Sequence, residues 1–169
     1  KRDYIVRAVE DSLRRLQVEA IDLYQSHWDD ETTPLEETLA AYATLIAQGK
    51  VRAIGASNLT AARLTEALAI SKAHGLPRYL TLQPHYNLAE RGLFEGALAD
   101  LCLRENIGVI PYYALAAGFL TGKYRSEADY GKSPRGGGMK KYVNERGLRI
   151  LAALDAVAAR LGATQAQVA

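Results

Sequence analysis

Cysteine is nearly absent from this chain. One residue, Cys102, stands among 169, which excludes an internal disulfide and fits a reducing compartment. It lies at helical spacing with Leu98 and Leu101, so core packing is expected of it and a reactive thiol is not. A charge of one sign is also lacking. With 21 Lys and Arg against 19 Asp and Glu, the net charge of +2 is too near neutral to mark nucleic acid or a membrane surface as partner. No uninterrupted apolar run reaches the ~18 residues of a membrane span, and no signal-like start is present. A soluble, cytoplasmic protein is the expectation. No His, Cys and carboxylate cluster has metal-ligand spacing, and no Gly-x-Ser-x-Gly elbow occurs. Pro134-Arg135-Gly136-Gly137-Gly138 lacks the preceding strand and the Lys-Ser/Thr of a phosphate-binding loop, so it reads as a flexible lid.

What is present is alternation. Ile5, Val9, Leu13 and Leu16 recur at helical spacing. A short strand follows through Ile21-Asp22-Leu23-Tyr24-Gln25-Ser26 and delivers His27 before the chain turns polar. Thr33-Pro34-Leu35-Glu36 reads as the start of the next helix, with Thr33 as N-cap, Pro34 at the first helical position and Glu36 closing a capping box. Leu35, Leu39, Tyr42 and Ile46 form its buried stripe, and Gly49 stops it. The second strand is Val51–Ser57. The third helix starts near Thr60, carries Leu64 and Leu68, and ends at His74-Gly75, where His74 complements the helix dipole. The third strand is Tyr79–Gln83, halted by Pro84. A helix near Leu93 to Glu105 packs through Phe94, Leu98 and Leu101, and the fourth strand is Gly108–Tyr112. A long polar, glycine-rich stretch covers Arg125 to Asn144. A final helix bears Leu151, Leu154, Ala158 and Leu161 before Gly162, and Thr164 with Gln167 announces another.

This order, without a hairpin signal between strands, argues a parallel sheet with helical crossovers. Either a doubly wound open sheet or about half of a closed (β/α)8 barrel fits it. The four strands finish in His27, Ser57-Asn58, Gln83 and Tyr112, at intervals of 30, 26 and 29 residues, each close to one βα unit. The polar groups would thus ring one rim of the sheet, where α/β barrels build their chemistry. From its own segment alone, His27 is an even choice between a catalyst and a rim residue. An amide donor and acceptor, a hydroxyl and a flat aromatic together suit a planar heteroaromatic ligand that carries a carboxamide. Trp28 has two readings. It could form an apolar substrate wall, or strand alternation could point it away from His27. His85, after Pro84, reads as a surface group.

Four motifs in this order and spacing, Ile21–Trp28, Val51-Arg52-Ala53-Ile54-Gly55-Ala56-Ser57-Asn58, Gln83-Pro84-His85-Tyr86-Asn87-Leu88 and Pro111–Tyr124, resemble the aldo-keto reductase family. The similarity runs over residues 1–169, an aldo-keto reductase barrel domain incomplete at both ends, and is to the bacterial branch related to potassium-channel β-subunits. The resemblance implies an α/β fold, a partial (β/α)8 TIM barrel of about four βα units corresponding to strands 4 to 7 of the family fold. It also implies NADP(H) as cofactor and a small-molecule aldehyde or ketone as substrate. His27 matches the active-site histidine that orients the carbonyl. Ser57, Asn58 and Gln83 match the groups that hold the nicotinamide carboxamide, and Tyr112 matches the aromatic that stacks on it. Leu115 and Gly118 lie in the segment that wraps the pyrophosphate, and the chain after Gly122 corresponds to a mobile cofactor-covering loop.

The resemblance has departures. The family often shows Tyr-Ser-Pro-Leu where this chain has Tyr112-Tyr113-Ala114-Leu115, which leaves backbone N–H groups to make that phosphate contact. None of the ten tyrosines matches the family's proton donor. The catalytic Asp, Tyr and Lys are expected before Lys1, and the strand that grips the 2′-phosphate after Ala169. A reductase needs an acid as well as a hydride, so these 169 residues alone are expected to be inactive. The alternatives are an NADP(H)-binding regulatory module that resembles a channel β-subunit, and a structural half-barrel with open edges.

Overall fold

The computed structural model describes all 169 residues, Lys1 to Ala169. They form two compact units, Lys1–Pro84 with Glu95–Ile110, and His85–Phe94 with Pro111–Ala169. No helix is long and apolar enough to cross a membrane.

In the first unit, helices and strands alternate as α1 (Arg2–Leu16), β1 (Ile21–Ser26), α2 (Leu35–Ala47), β2 (Val51–Ser57), α3 (Ala61–His74), β3 (Tyr79–Gln83), α4 (Ala97–Arg104) and β4 (Gly108–Val109). All strand pairs are parallel, and the spatial order is β1-β2-β3-β4. A doubly wound sheet reverses its order at a switch point. Here each crossover steps to the next neighbour, as in a (β/α)8 barrel. The fold is α/β, a four-strand part of such a barrel.

Apolar periodicity set most of these elements. Ile5, Val9 and Leu13 of α1 are buried, whereas Leu16 is exposed in the last turn. In α2 the buried arc is Leu35, Leu39, Ala41, Tyr42 and Leu45, rotated so that Ile46 is only half-buried. Thr60 caps α3 by accepting from the Arg63 N–H at 3.2 Å, and Gly75 ends it at φ +63°. Cys102 is buried in α4 beside Leu101, and burial pushes its thiol pKa up.

Three expected boundaries are corrected. Thr33 does not cap α2. Its hydroxyl instead donates to Asp30 Oδ2 at 2.7 Å, Pro34 occupies the cap position, and no capping box with Glu36 forms. The helix expected from Leu93 is split into a 3-10 turn at Arg91–Leu93 and α4. Gly96 lies between them at φ +90°, ψ −134°, a conformation closed to L side chains. Phe94 packs edge-on against Tyr86 at 5.2 Å. β4 stops at Val109 instead of Tyr112. The Ile110 N–H still reaches Leu82 O at 2.9 Å, but Pro111 has no N–H to continue the ladder.

In the second unit, α5 (Glu145–Leu161) and α6 (Gln165–Val168) close on a core of Phe119, Leu120, Tyr124, Met139, Tyr142 and Leu151. Phe119 stacks on Tyr142 at 5.2 Å. Leu151, Leu154 and Ala158 are buried and Leu161 is exposed. Thr164 and Gln167 form the expected capping box. The stretch after Arg125 is organised into 3-10 turns at Glu127–Lys132 and Gly136–Lys141. The residues expected as a lid include a buried Gly136, where a Cβ would sit 1.7 Å from the Tyr130 carbonyl oxygen. Arg125 forms a bidentate pair with Asp155 at 2.7 and 2.8 Å, and Gln165 donates to the same carboxylate. The guanidinium holds the Asp155 carboxyl below its usual range.

Gly55 is a point of close approach in the sheet. It pairs with Gln25 on one side and Thr81 on the other. The Thr81 hydroxyl donates across it to Gln25 Oε1 at 3.3 Å. A Cβ at Gly55 would lie 2.1 Å from Thr81 Oγ1. Gly55→Ala is expected to destabilise by about 1–3 kcal/mol, read as a lower urea midpoint, and to cost much less in a Thr81→Ala background. Equal costs in both backgrounds would show that this crossing is not the constraint.

Candidate active site

The strand ends of the first unit are wired together. Asn58 follows β2 in the left-handed region, φ +56°. From there its Nδ2 donates to the His27 carbonyl at 2.9 Å and to Ser57 Oγ at 3.1 Å. The Ser57 hydroxyl, 2% exposed, donates in turn to the Gln83 carbonyl at 2.8 Å. Parallel strands end with unpaired carbonyls, and these two side chains satisfy one on each neighbouring strand. The hydrogen-bond chain thus links the ends of β1, β2 and β3 through His27, Asn58, Ser57 and Gln83.

β1 ends at Ser26, so the residue after it is free of strand geometry. The His27 ring, exposed, lies 5.6 Å from the Trp28 ring at 48°, and Trp28 is 67% exposed. Simple alternation would have separated the two. A cleft of about 630 Å³ opens beside them, lined also by Tyr24, Tyr42, Tyr79 and Asp29. At its floor Ser26 Oγ lies 2.7 Å from the Tyr42 hydroxyl and 3.3 Å from that of Tyr79. Burial pushes both phenol pKa values up, which keeps them protonated.

Two groups that sequence reasoning missed fix the segment after His27. Arg63, on the first turn of α3, donates through Nε to Asp29 at 2.6 Å and through Nη1 to Glu66 at 2.9 Å. Arg63 and Asp29 are each 20% exposed, and the Asp29 carboxylate raises the guanidinium pKa. The available signal was Thr60, whose cap fixes where Arg63 projects. Asp30 accepts from the Thr32 N–H at 3.1 Å and from the hydroxyls of Thr32 and Thr33 at 2.6 and 2.7 Å.

Tyr112, Leu115 and Gly118 lie on one segment of the second unit. Each is half-buried. The backbone there runs through positive φ at Tyr113 (+58°), Ala116 (+48°), Ala117 (+56°) and Gly118 (+104°). Three of these are not glycine, a costly conformation that marks functional segments. The Ala116 N–H donates to the Tyr113 carbonyl at 2.7 Å and the Gly118 N–H to the Leu115 carbonyl at 2.9 Å, so the turn is closed by its own hydrogen bonds. His85, expected at the surface, is half-buried and stacks on Tyr112 at 5.3 Å and 23°. Its missed partner is Asn87, 5% exposed, whose Nδ2 lies 3.2 Å from His85 Nε2. No group of three or more His, Cys, Asp or Glu is placed to hold a metal ion.

Compared with known proteins, residues 1–169 match the aldo/keto reductase family along their whole length. The chain belongs to the aldo/keto reductase family. It is 42% identical over 123 residues to aldo-keto reductase YhdN of Bacillus subtilis, covering 73% of this chain and 35% of that protein. It is 32% identical over 174 residues to L-glyceraldehyde 3-phosphate reductase of Escherichia coli, covering 99% and 50%. The channel-related branch is represented by a probable voltage-gated potassium channel subunit β of rice, 35% identical over 123 residues, covering 73% and 38%. Among solved structures, glycerol dehydrogenase AKR11B4 of Gluconobacter oxydans superposes with a TM-score of 0.81 at 33% identity, over 98% of this chain and 50% of that one. This aldo/keto reductase chain spans about half the length of the relatives it matches.

The three hydrogen bonds to Asp30 hold its pKa at about 2, against about 3.9 in an unfolded chain. Because the folded value is the lower, its stabilisation is present above about pH 4 and is lost as pH falls toward about 2. Urea midpoints measured from pH 5 to pH 2 are expected to fall more steeply for the natural chain than for Asp30→Asn. Parallel curves would show that this loop contributes nothing to acid sensitivity.

Proposed function

We propose that this chain is the nicotinamide-clamping and carbonyl-orienting part of an NADP(H)-dependent aldo-keto reductase barrel domain, acting on a small aldehyde or ketone. The observation that carries the reading is the hydrogen-bond chain from the His27 carbonyl through Asn58 and Ser57 to Gln83. Two candidate side chains, Asn58 and Ser57, that tie the backbone carbonyls of two further candidates, His27 and Gln83, support a site more strongly than four polar residues would separately. Membership of the family supports the cofactor class.

The donor set fits a nicotinamide. The Gln83 amide offers a carboxamide both a donor and an acceptor. Asn58 and Ser57 give their hydrogens to the His27 carbonyl, Ser57 Oγ and the Gln83 carbonyl, and would hold a ligand by exchanging those bonds. In the second unit, Tyr112 is a flat aromatic of the kind that stacks on such a ring. A bound nicotinamide supplies the hydride. The protein supplies orientation: Asn58 fixes the His27 backbone, Arg63 fixes the following Asp29, and the exposed imidazole N–H donates to the carbonyl oxygen. A donor aimed where negative charge develops lowers the barrier without reorganising. The acid that completes reduction is not His27 in this reading. The family's Asp, Tyr and Lys have no counterpart here, so the 169 residues bind cofactor without turnover.

NADPH binding, followed by its fluorescence, tests the reading. The chain is expected to bind NADPH, and Tyr112→Ala to weaken it about 5–150-fold, the equivalent of about 1–3 kcal/mol of stacking. In a polypeptide that carries the rest of the barrel, His27→Ala is expected to lower kcat/KM about 10²–10³-fold with NADPH affinity retained. Glyceraldehyde 3-phosphate reduction and glycerol oxidation are the first substrates to try, from the names of two relatives. No NADPH binding by the chain, or full turnover in His27→Ala, would sink the proposal.

A further inference from the structure

We propose that His85 and Asn87 are positioning residues that set the Tyr112 ring before any ligand arrives. The inference rests on the reading of Tyr112 as a nicotinamide platform and adds what holds that platform.

Asn87 has its polar valences committed. Oδ1 accepts the N–H groups of Ala89 at 2.9 Å and Glu90 at 3.0 Å, while Nδ2 donates to Tyr113 O at 3.1 Å. Swapping the amide would set NH2 against two donors and oxygen against a carbonyl, so the orientation is fixed. The remaining Nδ2 hydrogen points to His85 Nε2 at 3.2 Å. Nε2 therefore accepts, and the ring is the Nδ1–H tautomer.

That ring is tied to Tyr112 in two ways. The backbones meet in a parallel bridge at His85 and Tyr112, with the Tyr86 N–H donating to Tyr112 O at 3.3 Å. The side chains stack at 5.3 Å, and Tyr113 meets His85 edge-on at 5.4 Å. The left-handed turn at Tyr113, φ +58°, belongs to the same arrangement, since its carbonyl is the one Asn87 holds. His85 covers one face of Tyr112, so the ligand ring stacks on the other. A platform ordered in advance binds without the cost of ordering it.

The test uses the 169-residue chain labelled with 15N. Long-range imidazole spectra without cofactor are expected to show His85 protonated on Nδ1 and bare at Nε2; an Nε2–H tautomer overturns the proposal. Asn87→Asp keeps the two acceptor bonds and is expected to move the proton to Nε2; an unchanged tautomer also overturns it. His85→Phe is expected to keep the Tyr112 ring resonances and NADPH affinity near natural values. His85→Ala is expected to shift those resonances and weaken NADPH by about 3–10-fold, as loss of one aromatic contact would. Equal affinity in His85→Ala and the natural chain counts against positioning. So does loss of the His85–Tyr112 contact on adding NADPH, because His85 would then occupy the ligand's face. If the natural chain binds no NADPH, the functional reading fails, and the tautomer and ring resonances alone decide the positioning role.

Discussion

The amide of Asn58 is the constraint on which the first unit's rim depends. A parallel sheet leaves a row of carbonyls at its C-terminal edge, and in a barrel that edge must be both satisfied and open to a ligand. Asn58 resolves the conflict by turning into the left-handed region, where asparagine is better tolerated than most residues. Its NH2 then bridges the His27 carbonyl and Ser57 Oγ, and Ser57 passes a hydrogen bond to Gln83. The backbone under His27 is thereby fixed while its ring stays exposed. The Arg63–Asp29 pair adds a second anchor two residues on. At 20% exposure it is worth more than a surface pair, though its larger value is geometric.

The second unit solves a related problem with different means. It has one long helix, α5, a short α6 and a stretch folded into 3-10 turns, so its rigidity rests on aromatic packing and on polar side chains that each gather several partners. Phe119, Tyr124 and Tyr142 fill the core. Asp155 gathers Arg125 and Gln165, and Asn87 gathers Ala89, Glu90 and Tyr113. With such ties on both sides, the strained run from Tyr113 to Gly118 is over-determined, which is how costly backbone persists.

Most of the fold was legible because it follows from periodicity. Strands β1 to β3 and helices α1 to α3 fall where alternation, apolar stripes and glycine stops place them. The failures share a cause, a local group competing for a partner that sequence rules assign elsewhere. Asp30 takes the Thr33 hydroxyl that would have capped α2. Gly96 breaks a stripe that looks continuous from Phe94 to Leu101. His85 reads as a surface imidazole because nothing nearby in sequence shows that Tyr112, 27 positions on, stacks against it. The strand-end residues are visible in their spacing, but the roles expected of them rest on resemblance, since no pattern of types distinguishes a cofactor ligand from a group that satisfies the sheet. Asn58 and Ser57 show why: their hydrogen bonds run to the His27 and Gln83 carbonyls and to each other, as they would in a sheet with no ligand.

The near-neutral charge of the whole chain conceals a difference between its parts. The first unit carries 11 Lys and Arg against 14 Asp and Glu, and the second carries 10 against 5. A net charge of +2 argues against a polyanion spread over the molecule, yet the second unit alone is distinctly basic. That excess lies on the unit whose backbone runs through positive φ at Ala116–Gly118, and its cations favour an anionic partner. The acidic first unit holds His27, Asn58 and Gln83. Charge thus divides along the chain between an acidic first unit and a basic second one. Composition taken over the whole chain averages that division away.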